Sequence, residues 1–235
     1  MRPRVFVNMA MSLDGKATSA AREPTEFMSD EDRRRMFELR ARADALIVGA
    51  TTALDYDSMG IPDPALRAAR LRRGQREHPL RVIVSGSLRL SPSAKVFRAP
   101  VAPLLLVHSA RAPRAARARF ASRARLMECG RDEVDARRLV AILAADYRCA
   151  TLLCEGGPTL NDAFFRAGLV DEMFVTLAPR IVGGRGAPTI VEGKGFPRLA
   201  AAARGRLVSC RRGTREWFLH YRFRAPRARR SPLAA

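Results

Sequence analysis

Sulfur, imidazole and indole are scarce in this chain of 235 residues, which holds four Cys, three His and one Trp. Cys129, Cys149, Cys154 and Cys210 form no C-x-x-C pair, and three of them flank expected strands. They read as reduced, buried thiols, not as a disulfide framework or a zinc site. His78, His108 and His220 lie far apart and show no metal-ligand spacing, so no metal is expected. No apolar run approaches the roughly 20 residues that would span a bilayer. The N-terminus enters an alternating pattern by Val5 and has no secretory layout. A cytoplasmic protein without a membrane partner is expected. Acid is short as well: 23 Asp and Glu stand against 43 Lys and Arg, a net charge of +20. That balance suits a nucleic-acid binder or an enzyme of phosphorylated substrates. No zinc finger, RNP-type aromatic strand or helix-turn-helix signature is present. The arginines spread along the chain, with patches at 111–125 and 224–230, and read mostly as solvated faces. Nucleic acid is not the expected partner.

What is present is a core. Hydrophobic residues make up 47% of the chain, and they fall in short runs. Strands are expected over 4–11, 45–48, 81–85, 104–108, 124–129, 151–154 and 171–178. Helices are expected over 30–41, after Ser29 as N-cap, and over 111–121 and 135–147. A further helix is possible over 64–72, within the long segment 57–79, and 92–103 reads as loop. Two late strands, 206–210 and 216–223, form a hairpin. Alternating strands and helices followed by strands alone imply an α/β fold with a mixed, mostly parallel sheet and helices on both faces. One domain is expected over 1–223, with a basic, disordered tail over 224–235.

The segment Thr151 to Asn161 carries the sharpest local signal. An apolar strand ends at Cys154-Glu155, Gly156-Gly157 turn the chain, and Pro158 suits the first turn of a helix. Backbone N–H groups at such a helix start are unpaired and the dipole is positive there, which suits a phosphate. Glu155 sits at the strand's carboxyl end, where ligands of open α/β sheets bind. Gly49-Ala50-Thr51-Thr52 after the second strand repeats the arrangement. A tight turn with a surface Glu is the competing reading.

Six motifs occur in order: Met11-Ser12-Leu13-Asp14-Gly15-Lys16, Arg40 after the first helix, Val48-Gly49-Ala50-Thr51-Thr52, Leu153 to Asn161, Gly168-Leu169-Val170-Asp171-Glu172 and Ala178 to Gly184. Together they resemble the pyrimidine reductases of riboflavin biosynthesis, whose fold is similar to dihydrofolate reductase. The resemblance implies NADPH, a homodimer and a ribosylamino-pyrimidine 5′-phosphate whose ribose is reduced to a ribityl chain. It places Gly156, Gly157, Pro158, Thr159, Leu160 and Asn161 on the cofactor phosphates, with Thr52 and Asp57 beside them. Met11 would contribute backbone beside the nicotinamide, and Phe27 stands where the family often has Trp near it. Thr25 and Arg40 would bind substrate, Arg40 at its phosphate, and Glu155 would contact the pyrimidine. A helix-end cation is the alternative for Arg40. Asn8 stands where family members fused to a deaminase commonly have Lys and stand-alone members have Asn. The chain lacks the H-x-E and P-C-x-x-C pattern of that deaminase, so a stand-alone reductase of the 2,5-diamino substrate is implied.

Two departures bear on the substrate. After Asp57 the family's Pro is missing, leaving Arg67 as the candidate for a second phosphate contact, and Gly86 replaces a common Ser. The altered loop keeps a pterin reductase on the same fold open, and the charge alone keeps open an inactive nucleic-acid-binding homologue. Hydride transfer belongs to the cofactor, and the protein supplies position and electrostatics. Glu155 and Asp57 are the acids nominated for catalysis, with solvent an equal candidate for the proton.

Overall fold

A computed structural model describes residues 2–23 and 29–223. The positions of Thr25 and Phe27 and the basic tail 224–235 lie outside the described residues. The elements run β1 (Arg4–Ser12), α1 (Asp30–Arg42), β2 (Ala45–Gly49), α2 (Ala50–Leu54), α3 (Pro64–Arg72), β3 (Leu80–Val84), β4 (Leu104–His108), α4 (Arg114–Phe120), β5 (Arg125–Glu128), α5 (Ala136–Ala145), β6 (Thr151–Cys154), α6 (Pro158–Arg166), β7 (Glu172–Ala178), β8 (Gly205–Arg212) and β9 (Trp217–Phe223). The strands form one nine-stranded sheet in the order β5-β4-β3-β2-β6-β1-β7-β9-β8. From β5 to β7 every pairing is parallel; β9 and β8 close the edge antiparallel.

The apolar runs explain this order. In β4 all five residues are buried, as a central parallel strand covered on both faces requires. Alternate side chains of each strand enter two separate cores. Val5, Val7, Ile47, Val82, Val107 and Leu152 meet Leu139, Val140 and Leu143 of α5 and Phe164 and Phe165 of α6. Phe6, Leu46, Val48, Ile83, Leu106 and Leu153 meet Leu39 of α1, Ala53 of α2 and Phe120 of α4. Helices thus cover both faces. Among the described residues no helix is long and apolar enough to cross a membrane.

Helix ends follow local chemistry. Ser29 Oγ accepts from Asp32 N, and Asp63 accepts from Ala65 N ahead of α3, with Pro64 in its first turn. Two expected starts shift inward. The helix expected from 111 begins at Arg114, because Pro113 is its N-cap and disfavours helix at the residue before it. The helix expected from 135 begins at Ala136, because Asp135 caps it. A short 3₁₀ turn, Lys95–Phe97, interrupts the expected 92–103 loop and buries Val96.

The segment 57–79 is built around arginines. Arg70 of α3 is only 1% exposed and donates to Arg40 O, Ala41 O and Ala43 O at the end of α1, and to Arg76 O. Carbonyls in the last turn of a helix are short of intrahelical donors, and of these Arg40 O has the Ala43 N–H beside the Arg70 guanidinium. Arg81 serves Ser58 O, Val96 O and Ala102 O in the same way. Part of the positive charge is therefore internal, where the sequence pattern reads as solvated. Arg67 bonds Glu77, Ile61 O and Pro62 O, and it does not line the cleft described below.

We expect Arg70→Met to lower the urea midpoint of unfolding with an unchanged m-value. The loss should be about 1.5–3 kcal/mol, the range for hydrogen bonds to a charged donor.

Candidate active site

The carboxyl ends of the parallel strands open into a cleft of about 1410 Å³. Open α/β sheets bind ligands at this edge. One half of its wall is mostly backbone. β2 leads into Gly49 and β6 into Gly156-Gly157, and the two turns pack directly on each other. Gly49 N donates to Gly156 O at 2.6 Å, and a Cβ on Gly49 would come within 3.0 Å of Gly157 N. Gly156 has φ +81°, and a Cβ there would meet Met9 Sδ at 2.7 Å. The Gly156–Gly157 peptide is cis. Gly157 is the N-cap of α6 and supplies no side-chain cap, so the helix start stays open. Gly157, Pro158, Thr159 and Leu160 line the cleft there, as does Thr52. The farther end runs past the tips of β3, β4 and β5, where Ser85, Gly86, Ser109, Arg89, Arg111 and Arg131 line it.

The other half is built from buried side chains. Glu155 is 4% exposed at the end of β6. Arg40 Nε and Nη2 donate to its two oxygens at 2.8 and 2.7 Å, and Tyr56 Oη donates at 2.6 Å. Arg40 Nη1 donates to Gly60 O at 3.0 Å. Burial pulls the Arg40 guanidinium down, but the Glu155 carboxylate overrides it and the net shift is upward. Burial of the Tyr56 hydroxyl and the adjacent Glu155 charge push its pKa well up. Asn8 and Ala10 of β1, and Asp32 and Met36 of α1, line the cleft beside this group. Asn8 Oδ1 is buried without a hydrogen-bond partner, the one side-chain atom of that kind among the described residues.

The residues expected from sequence divide accordingly. Gly157, Pro158, Thr159, Leu160, Thr52, Asn8 and Glu155 come together at the cleft. Gly156 shapes the turn behind it. Arg40 is corrected: it lies 3% exposed behind Glu155 and does not face the open cleft. Its contact is to the protein's own carboxylate, which the helix-end alternative did not foresee either. Asp57 is corrected too: it is exposed and pairs with Lys95 at 3.0 Å, while Asp55 and Tyr56 line the cleft. Asn161 is fully buried, with Nδ2 on Ile190 O and Oδ1 accepting from Cys154 Sγ, so it anchors the 190 loop. The Met9 and Met11 side chains both pack against the α5–α6 core, and Met9 also lines the cleft. Tyr56 and Asp32 were missed. Asp32 reads as part of the helix start, and no pattern marks Tyr56.

Residues 3–219 match the model of the RibD C-terminal domain. The chain belongs to that family. It is similar to the 2,5-diamino-6-ribosylamino-4(3H)-pyrimidinone 5′-phosphate reductase of Methanothermobacter thermautotrophicus, 38% identical over 204 residues that cover 87% of this chain and 90% of that protein. A pyrimidine reductase-like protein of Corynebacterium diphtheriae shares the fold with a TM-score of 0.79 at 20% identity, covering 94% and 92% of the two chains. RibD of Acinetobacter baumannii does so with a TM-score of 0.75 at 23% identity; 95% of this chain spans 58% of that longer one. Its reductase relatives make this RibD-family chain an oxidoreductase.

Two substitutions test the two halves. Arg40→Ala leaves the Glu155 carboxylate buried beside Tyr56 without its cation and should cost about 3–5 kcal/mol of stability, read by urea unfolding. Gly157→Val places a branched side chain 3.1 Å from Thr52 Oγ1 at the open helix start. We expect it to fold with a modestly lowered melting temperature, as Thr52 gives way and the N-cap is weakened, and to lose at least about tenfold in nicotinamide-cofactor affinity by fluorescence titration, from lost backbone approach to the phosphates.

Proposed function

We propose that this chain reduces the ribosyl group of 2,5-diamino-6-ribosylamino-4(3H)-pyrimidinone 5′-phosphate to the ribityl form, with NADPH as reductant, in the cytoplasm. The name of the similar Methanothermobacter thermautotrophicus protein supports the substrate. The cleft's glycine-rich half fits the cofactor, because the two close-packed turns leave no room for side chains between backbone and a phosphate. Arg89, Arg111 and Arg131 at the far end supply cations for the additional phosphate that distinguishes NADPH from NADH. When bound, the cofactor supplies the hydride. The protein's residues hold the substrate's ring and ribose against it and exclude water.

The observation that carries the reading is Asn8 Oδ1. A buried acceptor without a partner costs roughly 1–3 kcal/mol, so its presence on the cleft floor fits a ligand that donates a hydrogen bond there. The 2-amino group of the diamino substrate is such a donor. The carbonyl that replaces it after deamination is not. The altered 57–79 segment, which favoured a pterin, instead holds Arg40 through Gly60 and caps α1 through Arg70. A homodimer remains part of the proposal. β8 is exposed along its whole length, and Leu207, Val208 and Trp217 stand exposed on its hairpin, as an interface strand requires.

Steady-state oxidation of NADPH and NADH with the diamino pyrimidine, its deaminated form and a dihydropteridine tests the function. We expect turnover with NADPH and a preference for the diamino compound. Asn8→Lys, which can only donate, should reverse that preference in kcat/KM by about one bidentate-scale contact, on the order of tenfold. A wild type that favours the deaminated compound or the dihydropteridine would overturn the assignment.

A further inference from the structure

The reduction consumes a proton as well as a hydride, and seven acidic residues line the cleft: Glu23, Asp132, Glu133 and Asp135, which are exposed, and Glu155, Asp55 and Asp32 beside Asn8, Tyr56 and Met36. Both oxygens of Glu155 already accept from Arg40 and Tyr56, so neither is free to donate toward a ligand. Asp55 is exposed, so solvent can replace it. Asp32 differs from both. It is 4% exposed in the first turn of α1, and its Oδ1 accepts from Thr176 Oγ1 at 2.5 Å. Thr176 is oriented in turn by Arg35 Nη1 at 3.3 Å. Arg35 is otherwise engaged by Val175 O and Leu219 O, so its guanidinium is drawn toward the β7–β9 backbone.

The placement is specific. Thr176 pairs in register with Ala10, and Phe174 with Asn8, on the face of the sheet that α1 covers. Asn8 and Ala10 are two residues apart on one face of β1. Asp32, Met36 and Arg40 are spaced by four along one face of α1. Asp32 and Met36 line the cleft, and Arg40 stands behind Glu155. The Asp32 carboxyl therefore hangs over the same floor that carries the unpartnered Asn8 oxygen. The charged groups facing it are Glu216 from the turn before β9, Arg35 from its own helix and Glu155 from the β6 turn. Burial raises its pKa above the ordinary carboxylate value. The Thr176 hydroxyl and Arg35 pull it back, and the two Glu charges push it further up.

We propose that Asp32, held by Thr176, is the catalytic acid that protonates the ribose ring oxygen of the substrate. The assignment rests on the function proposed above. As the lone pair of the exocyclic nitrogen forms the N=C1′ bond, the C1′–O4′ bond breaks and O4′ takes the Asp32 proton. A bound reduced nicotinamide would supply the hydride that C1′ takes up as the π pair returns to nitrogen. The products are the ribitylamine and the oxidised nicotinamide, and the Asp32 carboxylate regains its proton from solvent. No other proton is gained or lost.

The test compares pH profiles of kcat and kcat/KM for wild type, Asp32→Asn and Thr176→Val with NADPH and the diamino substrate. The Asp32 carboxyl is also titrated by carbon-13 NMR in the protein without ligands. Asn at position 32 can still accept from Thr176. We expect it to lower kcat by about 10²–10⁴-fold, the range for general acid catalysis, with KM and NADPH affinity within a few fold of wild type. Wild-type kcat/KM should fall as pH rises through the value that NMR assigns to Asp32, and this limb should vanish in Asp32→Asn. Thr176→Val removes a hydrogen bond that favours the carboxylate, so it should move both the NMR value and the limb to higher pH. This second variant decides the matter if Asp32→Asn does not fold. Unchanged kcat and limb in Asp32→Asn, or a static limb in Thr176→Val, overturns the acid. A rise in KM with kcat intact also overturns it, and makes Asp32 a reader of the pyrimidine. A wild type that turns over none of the substrate overturns the reduction itself, and this assignment with it.

Discussion

The bidentate contact between Arg40 and Glu155 ties together four parts of the chain that are remote in sequence. It joins α1 to the turn after β6, brings in Tyr56 from the turn after α2, and fixes Gly60 in the long segment that follows. Both side chains are almost completely buried. Such a pair does not stabilise a fold by its Coulomb attraction alone, because taking two charges out of water costs about as much as their attraction returns. Its consequence is positional. Once Arg40 is desolvated, Glu155 has one low-energy place to be, and its neighbours become the side-chain half of the cleft wall. The same logic accounts for Arg70, which satisfies the end of α1 and so holds the helix that carries Arg40.

The opposite half of the cleft depends on the absence of side chains. Gly49 and Gly157 approach each other so closely that any Cβ on Gly49 would press on the next turn's backbone. A strand–turn–helix unit can present amides to a phosphate only when nothing covers them, and two such units side by side give an extended surface of that kind. The cleft is thus rigid for different reasons on its two sides: backbone contact on one, buried polar pairing on the other.

Much of this was legible in the sequence because it is local. The seven parallel strands, the hairpin and the glycine turn after Cys154 follow from short apolar runs and from residue types that tolerate turns. Gly157, Thr159 and Thr52 sit in those turns, so their place at the cleft follows from the same patterns. Long-range pairing was not legible. Arg40 is one arginine among many, and only the fold reveals that its partner lies 115 residues away. Asp57 and Tyr56 are neighbours in sequence, yet the turn after α2 sends one to Lys95 and the other to Glu155. Asp32 carried a sufficient local explanation, since it sits three residues after an N-cap Ser, and that explanation concealed its side chain's destination. Asn161 shows the reverse error: its motif belongs to the cleft, but the helix turns its amide toward Ile190.

Two features of this side-chain half work against the stability of the fold taken alone. Asn8 Oδ1 is buried without a partner, and Asp32 is a carboxyl in surroundings that disfavour its charge. The folded pKa of Asp32 lies above the unfolded value of about 3.9. The folded state therefore binds the proton more tightly, and stability from this group falls as pH rises from the unfolded value through the folded one. Neither feature helps the chain to fold, and elsewhere buried polar groups are met: Arg70 and Arg81 by carbonyls, Asn161 by Ile190. Their shared location on one floor, between α1 and β1, is what gives them meaning. A ligand that donates to Asn8 would relieve the first, and the surroundings that disfavour the Asp32 charge keep a proton on its carboxyl, ready for a ligand that takes it up.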